Sequence, residues 1–185
     1  MDSTRTELWS LIKRAQDGDE HCMSELITIH KGLVFTLIYR MINDYDMSHD
    51  LTQDTFIRVV INIRKVKNEK HFMAWMCTIA RNVARDYLRK FKRQATISLE
   101  EIGESLGRSG IESTRRQVII QDALCRLNER DRALLALSYF QGFNLSEVAK
   151  IMNISEKSIK VALFRARQRL RKELIGYEKE LLSAY

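Results

Sequence analysis

Two groups of basic residues in this chain are spaced in ways that suit a polyanion better than they suit a helix. Between Phe72 and Phe91, Arg81, Arg85 and Arg89 recur every four residues, Lys90, Lys92 and Arg93 follow, and Asp86 is the sole nearby acid. Like charges at that spacing repel by roughly 0.2–0.5 kcal/mol per pair on a helix, so intrinsic stability gives no reason for them, whereas phosphates do. Between Ser155 and Lys172 seven basic residues face one acid, Glu156. The helix dipole favours cations near a C-terminus, which accounts for one or two of the seven. A third group is of another kind: Asp50, Gln53 and Asp54, at offsets of zero, three and four, form a compact polar patch. The surrounding helix carries Leu51, Phe56, Ile57, Val59, Val60, Ile61 and Ile63 around much of its circumference, more than one core buries. The patch is either a solvated stripe or a protein-docking surface, with the apolar rim giving burial and the polar groups giving register.

The elements that position these groups are helices. The 185 residues include no proline and seven glycines, and apolar residues recur at three-and-four spacing through most of the chain. This predicts an all-α protein. The net charge of +7 fits a polyanionic partner without requiring one. Cys22, Cys77 and Cys125 stand far apart, His21, His30, His49 and His71 are scattered, and no Gly-rich phosphate loop accompanies them. Neither metal, cofactor nor catalytic site is expected. No run of eighteen apolar residues occurs and the N-terminus lacks a signal-peptide order, so no membrane insertion is expected and the cytoplasm is the default compartment.

Along the chain, Leu8, Leu11, Ile12 and Ala15 share one helical face, Gly18 is a left-handed stop, and Asp19 caps a second helix running through Met41. That helix has an apolar stripe wide enough for more than one neighbour. NDYDMSHD interrupts the pattern, a third helix is expected over about Ser48 to Val66, and a fourth over Phe72 to Phe91 after the basic loop KVKNEKH. Trp75 falls in register with Phe72 and Ile79, which favours core packing. Gln94 to Gln117 contains Gly103, Gly107 and Gly110 and the acids Glu100, Glu101, Glu104 and Glu112, and is expected to be a flexible linker. The resulting organisation is two small helical domains, 1–93 and 118–185, joined by 94–117.

The second domain has the grammar of a helix-turn-helix. Helices are expected from Val118 and, capped by Asn128, from Glu129 to a stop at Gly142. Asn144 and Glu147 form a capping pair, Ala149 permits close helix approach, Asn153 tolerates the left-handed turn, Ile154 plugs it, and Ser155 caps the final helix. Ile159, Leu163, Ala166 and Leu170 face the core. Lys157, Ser158, Lys160, Val161, Phe164, Arg165 and Arg167 are then left to face a major groove. Arg169, Arg171 and Lys172 extend the charge toward phosphates.

Three blocks, SHDLTQDTFIRVV, HFMAWMCTIARNVARDYLRK and LNERDRALLALSYFQGFNLSEVAKIMNISEKSIKVALFRARQRL, occur in an order that resembles the sigma-70 family, specifically its minimal extracytoplasmic-function group, over nearly the whole chain. The resemblance implies a factor that binds core RNA polymerase and directs promoter-specific initiation. It implies that Asp50, Gln53, Asp54 and Arg58 contact the beta-prime clamp coiled coil, with the beta flap as a second polymerase contact. It implies that Arg81, Asn82, Arg85, Asp86 and Arg89 engage the single-stranded −10 element, with the loop before His71 helping to receive an unstacked base. The second domain would read duplex −35 DNA, the acidic linker would lie in the RNA exit path, and an anti-sigma factor would hold the protein inactive. Asn128 stands where the family usually has proline, Asn153 where it often has glycine, and Ala162 and Phe164 where it often has arginine and histidine. The −35 sequence is therefore not transferable from relatives. The competing reading, a free-standing helix-turn-helix regulator, needs a symmetric dimer, and no heptad seam supplies one.

Overall fold

The computed structural model describes residues 2–97, 114–139 and 143–182, and among these the regular structure is helical. The first half contains α1 (Asp2–Gln16), α2 (Glu20–Ile42), α3 (Tyr45–Asn62), a 3-10 turn (Ile63–Lys65) and α4 (Glu69–Ile97). The second contains α5 (Arg115–Arg126), α6 (Glu129–Ser138), α7 (Leu145–Met152), α8 (Glu156–Glu173) and α9 (Glu178–Leu182).

Short polar side chains set most of the boundaries. Gly18 has a φ of 99°, and Asp19 accepts the Cys22 backbone N–H at 3.0 Å to start α2. That N–H, and after it the Arg14 guanidinium, bring the Asp19 carboxyl down to about 2. Asn43, at a φ of 57°, ends α2, and the next residue, Asp44, caps α3 through the Met47 N–H at 3.0 Å. Stop and start are thus adjacent, and α3 begins at Tyr45 instead of the expected Ser48. Helix α4 outruns the expected Phe72 to Phe91 at both ends. A reciprocal box between Thr114 and Gln117 starts α5 at Arg115. Both edges of the expected linker are therefore helical, while residues 98–113, with its glycines and acids, lie outside the described residues, as does Gly142. Helix α9 was not anticipated; it follows Gly176, whose φ is 94°.

Helix α2 is the hub. By length and composition it is apolar enough to cross a membrane, yet Leu26, Val34, Leu37, Ile38 and Met41 lie in the protein core, packed against α1, α3 and α4. The same helix also packs on α5 and α6, and α4 packs on α7, so the two halves share one apolar cluster. Within the second half, Asp131 is buried and accepts from Asn128 Nδ2 at 2.9 Å and from the Arg169 guanidinium, joining α6 to α8. Arg169, which the sequence directs toward phosphates, is thus paired within the fold, with its side chain 52% exposed.

His30 is 5% exposed, with Nδ1 2.8 Å from the Leu26 carbonyl and the ring edge-on to Phe72. Burial pulls its pKa below the ordinary histidine value, with the carbonyl contact opposing. The unfolded chain therefore takes up a proton from about pH 6.5 downward while the folded chain still excludes it. Stability is complete above that pH and declines below it. The expected result is a melting temperature that falls between pH 7 and pH 5, with a shallower fall in His30→Gln; equal slopes would remove His30 as a source.

Candidate nucleic-acid interface

Three surfaces carry the groups singled out by the sequence. On α8, Ile159, Leu163 and Ala166 are buried against α6 and α7, which turns Lys157, Lys160, Val161, Phe164, Arg165 and Arg167 outward together. Phe164 is 61% exposed, a large apolar area that packing leaves unused and that suits a thymine methyl or a sugar. The helix begins where Ser155 Oγ accepts the Ser158 N–H at 3.2 Å. Ser158 remains exposed, but its hydroxyl lies 2.7 Å from that of Ser155 and so also serves the cap. The turn before it is held by Asn153 at a φ of 52°, by the Asn144–Glu147 capping box, and by Ser146 donating to the Glu156 carboxylate. Cap, left-handed turn and second helix are thus fixed from both sides, the geometry a recognition helix needs.

The five candidates on α4 divide between two edges. Asn82 lies one turn of helix from Ile79 and two from Trp75, and these three line a cleft of about 260 Å³ with Arg58, Asn62 and Lys65 from the end of α3 and the 3-10 turn. Amide, aromatic ring and cations within one small opening are what an unstacked base with its phosphate requires. Trp75 packs on Phe72, with ring centroids 6.1 Å apart, as the sequence favoured, and it also forms part of the cleft wall. Asp86 is one turn beyond Asn82 on the same edge, and Arg89 is exposed. Arg81 and Arg85 are about 100° further round the helix. Their terminal nitrogens reach Asn82 Oδ1 at 2.8 Å and Asp86 Oδ1 at 3.5 Å respectively, but each Nε is buried without a hydrogen-bond partner. Desolvation, and then the charge of Arg85, lowers the pKa of Arg81. Asn62 and Lys65 were not found from the sequence, because the turn after α3 is what brings them opposite Trp75.

On α3, Asp50, Gln53 and Asp54 are exposed as a set. Beside them Gln53, Phe56, Ile57, Val60 and Ile61 line an apolar cleft of about 390 Å³ shared with Ile27 and Lys31 of α2. Ile57 is 56% and Ile61 73% exposed, so the rim inferred from the surplus of apolar residues is a surface and not core. Arg58 sits between this face and the α4 cleft. A further apolar cleft, about 780 Å³, is lined by Tyr139, Leu170, Leu174, Ile175 and Leu181 with Arg167, Arg171 and Lys172 at its margin. Sequence periodicity gave no sign of it, since it depends on α9.

Residues 26–94 match the family model described as Sigma-70 region 2, and residues 117–170 match Sigma-70, region 4. The chain is 37% identical over 153 residues to the ECF RNA polymerase sigma factor SigM of Bacillus subtilis, a match covering 80% of this chain and 93% of that one. It is 27% identical over 176 residues to SigW of the same organism, covering 88% and 94%. Among solved structures, the sigma factor RpoE in complex with the anti-sigma factor NepR from Bartonella quintana is similar in fold, with a TM-score of 0.68 and 24% identity over 82% of this chain and 95% of that chain.

Proposed function

Since this chain belongs to the sigma-70 family as an extracytoplasmic-function sigma factor, we propose that each of its three surfaces has one task in promoter-specific initiation. The α3 face, Asp50, Gln53, Asp54 and Arg58 with its apolar rim, docks on the beta-prime clamp coiled coil. The α4 cleft with Asn82 and Trp75 receives an unstacked −10 base, Asp86 borders it, and Arg81, Arg85 and Arg89 hold the phosphates. The outer face of α8, Lys157, Ser158, Lys160, Val161, Phe164, Arg165 and Arg167, reads duplex −35 DNA. The apolar cleft between α6, α8 and α9 suits the beta flap. The observation that carries this reading is the α4 cleft, because a lone DNA-reading module has no need of a receptor for a single base.

The working units are a polymerase and −10 domain over 1–93 and a −35 domain over 118–185, with the intervening segment in the RNA exit path. Each unit binds DNA weakly, and core polymerase supplies the spacing that makes their contacts simultaneous, a gain in effective concentration. Strand opening is trapped by base capture without nucleotide hydrolysis, and the chain contributes no catalysis of its own. It works in the cytoplasm, where polymerase and promoters are. The exposed isoleucines of α3 need a cover when polymerase is absent, and an anti-sigma factor of the kind seen with RpoE fits that need.

Footprinting separates this reading from a free-standing regulator. An asymmetric footprint over −35 and −10 that requires core polymerase is expected, and a palindromic one from the chain alone would support the regulator. Within the cleft, Asn82→Ala is expected to shorten the lifetime of open complexes by about tenfold, the worth of a lost hydrogen bond to a flipped base, with duplex −35 binding unchanged. Open-complex decay after heparin challenge measures it, and an unaltered lifetime removes Asn82 from the cleft's function.

A further inference from the structure

We infer that Gln16, at the end of α1, is a positioning residue for capture of the unstacked −10 base, because its side-chain amide fastens the connector that forms one wall of the α4 cleft. This rests on the reading of that cleft as the base receptor. One wall is Trp75, Ile79 and Asn82 of α4, and the other is Arg58, Asn62 and Lys65. The first belongs to a long, continuous helix. The second runs into a short connector: α3 stops at Asn62, a three-residue 3-10 turn follows, and residues 66–68 are not helical before α4 begins at Glu69. Within it the Val66 N–H donates to the Ile63 carbonyl at 3.0 Å. A single short turn of 3-10 geometry is weak support by itself.

Gln16 supplies what the connector lacks. Its Nε2 donates to the Ile63 carbonyl at 2.8 Å and to the Val66 carbonyl at 2.7 Å, the two acceptors that bracket Arg64 and Lys65 in sequence. In return Arg64 Nε donates to the Gln16 backbone carbonyl at 3.2 Å, one of the carbonyls that a helix end leaves without an intrahelical partner. These bonds join residues 47 to 50 apart, so they tie α1 to the connector and not the connector to itself. The clasp has a firm base, since Ile12 and Ala15 near the same end of α1 are buried, as are Ile63 and Val66. Lys65 is exposed, and Asn62 donates from Nδ2 to the Arg58 carbonyl at 2.9 Å, so the position of both follows the backbone path that Gln16 fixes. Removing the donors would loosen this wall while leaving the α3 patch and α8 as they are.

The test uses holoenzyme assembled with core polymerase on a promoter active in run-off transcription. The nontemplate −10 strand is either intact or carries one abasic site, at the position where base loss shortens the wild-type open-complex lifetime most. Gln16→Met keeps the side-chain length without donors, and Gln16→Lys keeps donors. Gln16→Met is expected to shorten the lifetime after heparin challenge about fivefold on the intact strand, the worth of lost connector hydrogen bonds, and to leave it unchanged on the abasic strand, where there is no base to hold. Gln16→Lys is expected to return the intact-strand lifetime to within about twofold of wild type, since its ammonium donates to the same carbonyls. Equal shortening on both strands, shortening on neither, or a lysine variant no better than the methionine one overturns the positioning role. Asn82→Ala, measured beside them, locates the fault. If it keeps a base-dependent effect that Gln16→Met lacks, the cleft stands and the clasp falls, whereas no base dependence in either variant removes the cleft reading and this inference with it.

Discussion

Replacing Asp50 and Asp54 together by lysine is expected to weaken binding to core polymerase by on the order of a hundredfold, because like charge across a docked face costs several kcal/mol and about 2.7 kcal/mol is two decades of affinity. Both carboxylates are exposed and form no ion pair among the described residues, so the fold has little to lose. Far-ultraviolet circular dichroism and melting temperature should be unchanged, and binding to a duplex −35 oligonucleotide should persist. Competition for core polymerase against a labelled wild-type chain gives the affinity. Equal loss of polymerase and duplex binding would instead indicate misfolding, and full retention of polymerase binding would return the patch to the solvated stripe that the sequence allowed.

The second large effect concerns α8. Lys160 and Arg165 are exposed on one face in the first turns of the helix, and no shared partner in the fold depends on them. Each phosphate contact contributes about 0.9 to the slope of log affinity against log salt, so the double alanine variant should flatten that slope by about 1.8 and weaken duplex binding by tenfold or more near physiological salt. A titration of fluorescence anisotropy across salt concentrations measures both. An unchanged slope removes the pair from the interface whatever happens to affinity. Phe164→Ala is a useful contrast, since it alters apolar contact without altering the charge count.

Much of this architecture was legible because short-range chemistry fixed it. The Asn144–Glu147 box, the Asn153 turn and the Ser155 cap are local side-chain to backbone bonds, and all three form as their residue types require. The wide apolar stripe of α2 was likewise readable as serving more than one neighbour. Its second partner was not, because nothing in the spacing of Tyr39, Arg40 and Met41 indicates that Gln121 and Arg132, 81 to 91 residues on, will bond there. The start of α3 was misplaced since Asn43 ends one helix and Asp44 begins the next, whereas a polar run of eight looks like a longer loop. Charge density alone does not show that Arg169 pairs with Asp131 of α6. In the same way, an arginine repeat every four residues marked α4 as a nucleic-acid helix, but only packing separates the edge with Asn82 from the edge with Arg81 and Arg85.

The α3 face, the outer face of α8 and Arg89 on α4 are exposed, whereas Arg81 and Arg85 are only partly so, each with a buried Nε. The cleft lined by Arg58, Asn62, Lys65, Trp75, Ile79 and Asn82 lies near the face proposed to dock on polymerase, so on that proposal a polymerase seated there would border a base in the cleft.

The most direct measurement of whether these surfaces act together is run-off transcription with purified core polymerase on a library of promoter sequences. The expected result is initiation at fixed positions, only when the chain is added, from templates that share two sequence elements about two helical turns apart. Failure of the chain to join core, or transcripts whose start positions and template choice are the same with and without it, would contradict the assignment.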